Sequence, residues 1–372
     1  MPLLDWMDSS SLPVFWFVTA GISAILAAVA MGVFASKNQM PVDGKTILIT
    51  GASEGMGRSA ARLLAAKGAN LILVSRNADK LQESLQQAQV WLLLLSPLCE
   101  GHDTDRAGQA AAKNPQTQHF HIITADVSKP DYAPELVAKA VAANNNQPLD
   151  IVWCIAGKST PDFWVEAPLA LTRDQMDINF WGSAEMAHAI LRVWTRPDVP
   201  VVPEPKHLVF TSSVLAYFPV VGYGPYNPAK AALRSLADTL VQELQLYPQK
   251  VKVHVVYPGS ISSPGFDREN MTKPEITRII EDGDPVQTPD EVAAKAIRGL
   301  EQGRYSITVA FLGHVLRWLA VGGSPRENWF IDTIMSCIVQ VVFFFALTDI
   351  FGKIRKFGKK NGHPVHYRKK GN

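Results

Sequence analysis

Apolar and polar stretches alternate regularly between Lys45 and Arg304. Six short apolar runs stand out, namely KTILIT, LILVS, HFHIITAD, LDIVWCIAG, KHLVFTSS and VKVHVVYPG. Stretches with helical spacing of apolar residues separate them, for example PELVAKAVAA and NPAKAALRSLADTLVQEL. Strands that alternate with helices form parallel sheets with helices on both faces. The pattern therefore predicts a doubly wound, parallel α/β domain of the Rossmann type over residues 41–304.

A long apolar segment precedes this domain. Leu12 to Ala35 contains about 24 residues without a charge, which is enough to cross the hydrocarbon core of a bilayer. The alternative is a signal peptide, but the preceding residues MPLLDWMDSS contain no Lys or Arg. We expect residues 1–40 to be an uncleaved anchor. Lys37 and Lys45 follow the span, so the N-terminus is expected in the lumen and the domain in the cytosol.

A second apolar region follows the domain. Trp329 to Leu347 is rich in Phe, Val and Ile and is interrupted only by Asp332, and the basic run KIRKFGKK comes after it. A cytosolic basic tail requires this region to cross twice or to dip in and return. We expect a membrane hairpin over residues 305–350 and a cytosolic tail over 351–372. A pair of interfacial helices is the alternative.

Composition narrows the classes of function. Hydrophobic residues make up 47% of the chain and the net charge is +2, which is typical of a globular core and gives no electrostatic reason to expect nucleic acid as a partner. The three cysteines have no metal-ligand spacing, and they suit a reducing compartment. We expect no bound metal.

One segment does not fit the pattern. Residues 90–109, VWLLLLSPLCEGHDTDRAGQ, interrupt a helix that LQESLQQAQ begins and that AAAKNP would finish. We interpret them as an atypical insertion, and as a hypothesis as a retained intron, because their removal leaves one continuous helix. A genuine family-specific insertion is the alternative.

A glycine-rich turn follows the first predicted strand. TGASEGMG places Gly51, Gly55 and Gly57 before a helix, where unpaired N–H groups and the positive end of the helix dipole attract a pyrophosphate. Ser53 either bonds a phosphate or caps the helix, and Glu54 belongs to the same turn. The position of this turn between a strand and a helix predicts a dinucleotide site.

The end of the second strand indicates which dinucleotide. An NAD enzyme usually places Asp or Glu there to bind the ribose 2′-OH, whereas this chain has Ser75 and Arg76. Arg76 can pair with a 2′-phosphate, with Lys80 assisting. Asp126, at the end of the third strand, is expected near the adenine or as a turn cap, with Val127 beside it. The predicted cofactor is NADPH.

Three further positions complete the predicted cofactor site. Gly157 ends the fourth strand, where a small residue lets the backbone pass close to the cofactor. The turn PGSISSPG after the sixth strand contains Gly259, Ile261 and Ser263, and it is expected to close over the nicotinamide.

Tyr226 and Lys230, in YNPAK, are the candidate catalytic pair. Positions i and i+4 share a helix face, and a nearby ammonium favours a phenolate and lowers the pKa of a tyrosine. Tyr226 can then protonate a ketone oxygen as hydride arrives. Ser212 and Ser213, upstream, can hydrogen-bond the carbonyl, or they are turn residues. Asn179 lies within a predicted helix and is expected to carry a proton relay from Lys230 through water.

Together these residues resemble the short-chain dehydrogenase/reductase superfamily over about Lys45 to Arg304. TGASEGMG, the Asn179 helix, Ser213 and YNPAK occur in the order of that family. More narrowly, ADVSKPDY, TSSVLAYFPVVGYGPYNPAKAALRSLADTL and HVVYPGSISSPGFDREN resemble the fungal 3-ketodihydrosphingosine reductases. One departure is Cys154, where the superfamily commonly has Asn.

The resemblance implies reduction of 3-dehydrosphinganine to sphinganine with NADPH at the endoplasmic reticulum membrane, and a possible homodimer. The final KKGN resembles a dilysine retrieval signal. Asp162 or Glu166 is a guess for the partner of the substrate amine. The alternatives are a membrane reductase for 3-ketoacyl-CoA or a steroid ketone, and a non-enzymatic scaffold that binds a nucleotide.

Overall fold

The computed structural model describes residues 37–89 and 117–368. The expected N-terminal anchor, the insertion at 90–109 and the KKGN signal all lie outside the described residues, so they stay predictions. The described residues from Met40 onward fold as one unit.

The described residues form one seven-stranded parallel sheet, which confirms the predicted fold class. The strand order is β3-β2-β1-β4-β5-β6-β7. The strands are β1 Thr46–Thr50, β2 Asn70–Ser75, β3 Phe120–Thr124, β4 Ile151–Cys154, β5 Lys206–Thr211, β6 Val251–Tyr257 and β7 Ser306–Thr308. All five residues of β1 and all four of β4 are buried, because helices cover both faces of the sheet.

Eleven described helices surround or extend this sheet. They are α1 Gly55–Ala66, α2 Ala78–Gln89, α3 Tyr132–Ala143, α4 Leu169–Met176, α5 Gly182–Trp194, α6 Asn227–Glu243, α7 Pro264–Thr272, α8 Glu275–Ile280, α9 Pro289–Glu301, α10 Phe311–Leu319 and α11 Trp329–Asn361. A π-helical turn, Asp177–Trp181, joins α4 to α5. Two apolar layers result, one on each side of the sheet.

The strand order reverses between β1 and β4. Connections from β1 run outward to β2 and β3, and those from β4 run outward in the opposite direction to β5, β6 and β7. Such a switch point leaves a crevice at the carboxyl ends of the strands, where ligands bind in open α/β sheets. The glycine-rich turn and the ends of β4 and β5 therefore meet at this crevice.

The seventh strand corrects the expected end of the domain. Residues 305–350 were assigned to a membrane hairpin, but Ser306–Thr308 pairs in parallel with Val255–Tyr257 of β6. Ile307 is buried in the same apolar layer as β1. Ile307 is therefore apolar because it packs in the core beside the sheet, and the α/β domain continues past residue 304.

The last helix is longer than the apolar run suggested. The 33 residues of α11 continue through the basic stretch and end at Asn361, so residues 351–361, expected as part of a tail, are helical. Among the described residues, α11 is the one helix that is long and apolar enough to cross a membrane, judged by length and composition.

Candidate active site

A cavity of about 610 Å³ opens at the carboxyl ends of the central strands. This volume lies in the range of ligand pockets in proteins. The predicted catalytic and cofactor residues line it, with two exceptions, Lys80 and Asp126. The residues that line it are Gly51, Ser53, Glu54, Gly55, Gly57, Arg76, Val127, Gly157, Asn179, Ser212, Ser213, Tyr226, Lys230, Gly259, Ile261 and Ser263.

The turn after β1 has a backbone that only glycine fits. Gly51 has a φ of +73°, and a Cβ atom there would lie 2.7 Å from the backbone of Ala156. A Cβ on Gly57 would lie 2.1 Å from the carbonyl oxygen of Gly51. These glycines let the turn pack directly against the end of β4 and against α1. Gly55 and Gly57, in the first turn of α1, line the cavity, where the N-terminus of a helix attracts a pyrophosphate.

Ser53 and Glu54 each have partners within the protein. The hydroxyl of Ser75 donates a hydrogen bond of 2.8 Å to that of Ser53, so Ser53 does not cap α1. Glu54 accepts from Lys80 at 3.1 Å and from Arg268 at 2.5 Å. Burial alone would raise the pKa of Glu54, but these two cations outweigh it and lower the pKa. Lys80 therefore faces Glu54 and not the cavity.

Arg76, the residue predicted to pair with a 2′-phosphate, is exposed and lines the cavity. Asp126, at the end of β3, accepts hydrogen bonds from the backbone N–H of Ser128 at 3.0 Å and from its hydroxyl at 2.7 Å. Burial opposes ionisation of Asp126, but these bonds and the charge of Arg76 lower its pKa. Asp126 was expected either near the adenine or as a turn cap, and its hydrogen bonds with Ser128 are those of a turn cap.

Asn179 lies in the π-helical turn, fully buried. Its amide nitrogen donates to the carbonyl oxygens of Lys158 at 2.8 Å and of Gln175 at 3.0 Å. Its amide oxygen accepts from the N–H of Lys158 at 3.1 Å. A Cβ on Gly157 would lie 2.8 Å from that oxygen and 3.3 Å from the Nζ of Lys230. Asn179 and Lys230 therefore meet at Gly157.

The two candidate serines have different surroundings. The Ser212 hydroxyl donates 2.9 Å to the carbonyl oxygen of Lys230, which ties β5 to α6. The Ser213 oxygen accepts from the N–H of Leu215 at 3.2 Å and also forms a hydrogen bond with Tyr226. Ser213 is thus the serine beside the phenol of Tyr226, whereas Ser212 links the end of β5 to the backbone of α6.

The phenol of Tyr226 is not acidified as the sequence argument expected. Burial raises its pKa, the negative charge of Glu269 adds to the rise, and the hydrogen bond with Ser213 only partly opposes it. The ammonium of Lys230 lies 5.7 Å from the ring centre and donates 3.0 Å to the carbonyl oxygen of Thr211. Burial lowers the pKa of Lys230 to about 8.

The turn after β6 forms the other side of the cavity. Ser263 caps α7 by accepting a hydrogen bond from the N–H of Phe266 at 3.3 Å. Gly259 has no atom within 4 Å of a Cβ built on it, so the backbone faces open space there. Ile261 lies beside it in the same wall. Ser263 lies directly against the glycine-rich turn, since a Cβ built on Gly55 would be 3.5 Å from the Cβ of Ser263.

Neither acid guessed for the substrate amine lines the cavity. Asp162 is buried and accepts three hydrogen bonds from Arg368, at 2.7, 2.9 and 3.1 Å, so its charge is already paired. Glu166 lies outside the cavity lining. The acids that do line it, besides Glu54, are Glu269, Glu281 and Asp284. Sequence spacing gave no signal for them, because they come from α7 and from the residues that follow α8, which contain none of the motifs of the predicted site.

Sequence reasoning also missed an apolar wall of the cavity. Leu312 and Leu316 of α10 line it, as do Phe343, Ala346 and Ile350 of α11. Their apolar pattern was interpreted only as a membrane segment. The one available signal was their spacing of three to four residues, which places them on a single helix face.

Comparisons with known proteins agree with this geometry. The family model for short chain dehydrogenases matches residues 45–91 and 99–274. The 3-ketodihydrosphingosine reductase gsl-3 of Neurospora crassa is 50% identical over 366 residues, which cover 97% of this chain and 94% of that protein. The 3-ketodihydrosphingosine reductase ksrA of Aspergillus fumigatus is 40% identical over 343 residues, 88% of each chain.

Solved structures share the fold. A short-chain dehydrogenase/reductase of Burkholderia phymatum, in complex with NAD, has a TM-score of 0.59 at 20% identity, covering 75% of this chain and 94% of its own. An enzyme of this type from Mycobacterium ulcerans has a TM-score of 0.55 at 20% identity, covering 72% and 89%. The chain therefore belongs to the short-chain dehydrogenase family, in the branch that contains these fungal reductases.

Proposed function

We propose that the protein reduces 3-ketodihydrosphingosine (3-dehydrosphinganine) to sphinganine with NADPH, in sphingolipid synthesis. The observation that carries the proposal is the half-buried Tyr226 beside Ser213, with the buried Lys230 behind it, in the cleft of a dinucleotide fold. The names and high identity of the fungal relatives support the choice of substrate.

Tyr226 acts as the proton donor. Bound NADPH supplies a hydride to the carbonyl carbon of the ketone. Ser213 donates a hydrogen bond to the carbonyl oxygen and orients it. Because the phenol of Tyr226 is neutral at physiological pH, it carries the proton that the oxygen needs as negative charge develops on it. The product is the alcohol, and Tyr226 is left as a phenolate.

Lys230 supports this step from behind the phenol. With a pKa of about 8 it is mostly cationic at neutral pH, so it stabilises the phenolate that forms. Its remaining N–H groups can hold the ribose hydroxyls. Asn179 is a positioning residue that fixes the backbone at Lys158 and completes a water-mediated relay to Lys230. Proton resupply to Tyr226 follows this path.

The preference for NADPH rests on Arg76. No carboxylate stands at the end of β2, where an acid would accept from the 2′-OH of NADH and repel a 2′-phosphate. Arg76 is exposed at the rim and free to turn toward that phosphate. The glycine-rich turn and the N-terminus of α1 would hold the pyrophosphate, and Val127, Gly157, Gly259, Ile261 and Ser263, which line the same cavity, would contact the rest of the cofactor.

The lipid substrate requires a membrane location. We place the enzyme on the endoplasmic reticulum membrane with its catalytic domain in the cytosol, held by residues 12–35 and by α11. The apolar composition of both segments and the basic residues that follow them support this orientation. We also propose that two copies of the chain form a homodimer, in which helices on the outside of the sheet of each copy pack together.

Purified protein in detergent or lipid discs, incubated with NADPH, tests the function. We expect oxidation of NADPH with 3-ketodihydrosphingosine and formation of sphinganine, measured by mass spectrometry. Turnover of a 3-ketoacyl-CoA or a steroid ketone, without turnover of the sphingoid ketone, would overturn the substrate assignment. NADPH binding without turnover of any ketone would support a nucleotide-binding scaffold instead.

A further inference from the structure

The start of α11 is tied to the catalytic domain by a buried ion pair. Arg317 of α10 donates to both carboxylate oxygens of Asp332, at 2.7 and 3.0 Å, and both side chains are buried. The indole N–H of Trp318 donates a third hydrogen bond of 2.9 Å to Asp332. A bidentate pair of this kind fixes the relative orientation of the two side chains as well as their distance. The pairing with Arg317 explains why Asp332 interrupts an otherwise apolar run of sequence.

The other end of α11 is tied as well. The helix ends at Asn361, and the chain then turns back at Gly362. The ring of Tyr367 packs edge-on against Phe357 of α11, at 5.3 Å, and against Phe163 of the domain, at 6.1 Å. Arg368 then pairs with the buried Asp162. Both ends of the helix are therefore held by the same domain.

Between these ends, one face of α11 lies along the domain. The side-chain amide of Gln340 donates 2.9 Å to the carbonyl oxygen of Leu319, and the Phe343 ring packs against Phe218 at 5.6 Å. The less exposed positions recur every three to four residues, at Asp332, Met335, Val339, Phe343, Ala346, Ile350, Ile354 and Phe357. A helix of 33 residues is about 50 Å long. Because both of its ends and one of its faces contact the domain, α11 lies along the domain surface and does not project from it.

The opposite face of α11 is apolar and exposed. Trp329, Phe330, Ile334, Ile338, Val341, Val342, Phe344 and Phe345 are between 43% and 75% exposed. A continuous exposed apolar surface of this kind marks a contact with lipid or protein. Basic residues follow on the same helix, from Lys353 to Lys360, as expected where a helix lies at an anionic lipid surface. Lipid is therefore the occupant that the charge pattern favours for this face.

The inner face of α11 reaches the catalytic site. Phe343, Ala346 and Ile350 line the same cavity as Tyr226, and the apolar residues Phe218 and Leu312 also line it. An apolar path thus leads from the phenol to a helix whose other side faces lipid.

We propose that this path is a subsite for the alkyl chain of the substrate, open to one leaflet of the membrane, with α11 as its wall. The inference rests on the proposed function, since its occupant is the chain of a long-chain amino ketone. The polar head enters the cleft beside Tyr226 and Ser213, and the chain lies against the inner face of α11. The substrate then moves from the bilayer to the cofactor without exposing its chain to water.

Substitution of one small inner residue tests the subsite. Ala346→Trp fills the apolar path, and Thr348→Trp places the same ring on the exposed face of the same helix. Both variants are assayed with the full-length sphingoid ketone and with a short-chain analogue. For Ala346→Trp, kcat/KM should fall about tenfold more for the long chain than for the short one. Thr348→Trp should show no such difference. Equal losses for both chain lengths in Ala346→Trp, or no loss, would overturn the subsite.

A second measurement separates the subsite from the reaction. A long-chain amine with a diazirine in its alkyl chain is photolysed with the wild-type protein in lipid discs, and the labelled peptides are sequenced. We expect labels on Phe343, Ala346 or Ile350, reduced in Ala346→Trp. Labels confined to the outer face would reject the subsite even if the ketone is reduced. Inner-face labels without ketone turnover would instead reject the proposed function and keep the subsite.

Discussion

The ammonium of Lys230 lies 5.7 Å from the centre of the Tyr226 ring, and burial affects the pKa of these two groups in opposite directions. The phenol is held neutral, with its pKa raised. The amine is held near the point of losing its proton, with a pKa of about 8. A neutral acid beside a cation that stabilises its conjugate base is the arrangement that a ketone reduction needs.

Replacing Tyr226 with Phe should abolish turnover and leave NADPH binding in place. The ring fills the same space, so packing is kept, while the proton donor is lost. We expect kcat to fall by about 10³-fold, in the range that positioned acids contribute. Stopped-flow measurement of NADPH oxidation gives kcat, and quenching of protein fluorescence gives the dissociation constant of NADPH. Tyr247→Phe, at an exposed tyrosine, is the control. Unchanged turnover in Tyr226→Phe would reject the mechanism.

NADPH binding should weaken as the pH rises through about 8. Burial lowers the pKa of Lys230, so the amine is cationic below that value and neutral above it. Its positive charge favours the anionic cofactor, and affinity should fall by up to about tenfold for each pH unit above the pKa. Fluorescence titrations between about pH 7.5 and 9.5 measure this slope. Lys230→Arg stays charged and should show a flat profile. The same slope in Lys230→Met would assign the titration to another group.

Replacing Arg76 with Asp should change the cofactor preference. The new carboxylate repels a 2′-phosphate and accepts from a 2′-OH, so the ratio of kcat/KM for NADPH over NADH should fall by about 100-fold or more. Lys80→Asn is the matched control, because Lys80 pairs with Glu54 and does not line the cavity. If Lys80→Asn shifts the ratio as far as Arg76→Asp, the 2′-phosphate is held by both cations or by another group.

Local patterns predicted the sheet and the main parts of the candidate site. Six of the seven described strands follow from apolar runs, and the glycines of the turn after β1 follow from the tight backbone that they permit. The carboxyl ends of parallel strands lie at the same edge of a sheet. Gly157, Ser213 and the turn at Gly259 each follow a strand, so the sequence places all three at that edge, where the cavity opens. These inferences depend on residues that are close in the sequence or on a regular sheet.

The sequence could not show contacts between distant segments. The strand β7 has only three residues, and the apolar character of Ile307 is the same in a core as in a membrane. Asp162 was a reasonable guess for an amine partner until its pairing with Arg368, 206 residues away, was seen. The raised pKa of Tyr226 depends on burial and on Glu269, which no spacing rule connects to YNPAK.

A buried histidine pair should make the fold sensitive to acid. His207 of β5 and His254 of β6 lie with ring nitrogens 3.0 Å apart, and the other nitrogen of His254 lies 2.7 Å from the carbonyl oxygen of Arg304. Burial lowers the pKa of His207 to about 3 and that of His254 to about 4. In the unfolded chain both take up protons near pH 6.5, whereas in the folded protein they stay neutral until the pH is far lower.

The unfolding free energy should therefore be fully present above about pH 6.5 and decrease as the pH falls below it. At pH 5 the loss is about 2 kcal/mol for each histidine, from about 1.5 pH units of differential protonation. Thermal unfolding of the full chain in detergent, followed by circular dichroism from pH 8 to 5, measures the slope. His207→Gln should reduce the slope by about half, since His254 still titrates with a lowered pKa, and His188→Gln, at an exposed histidine, should leave the slope unchanged. An equal slope in wild type and His207→Gln would mean that other groups govern acid unfolding.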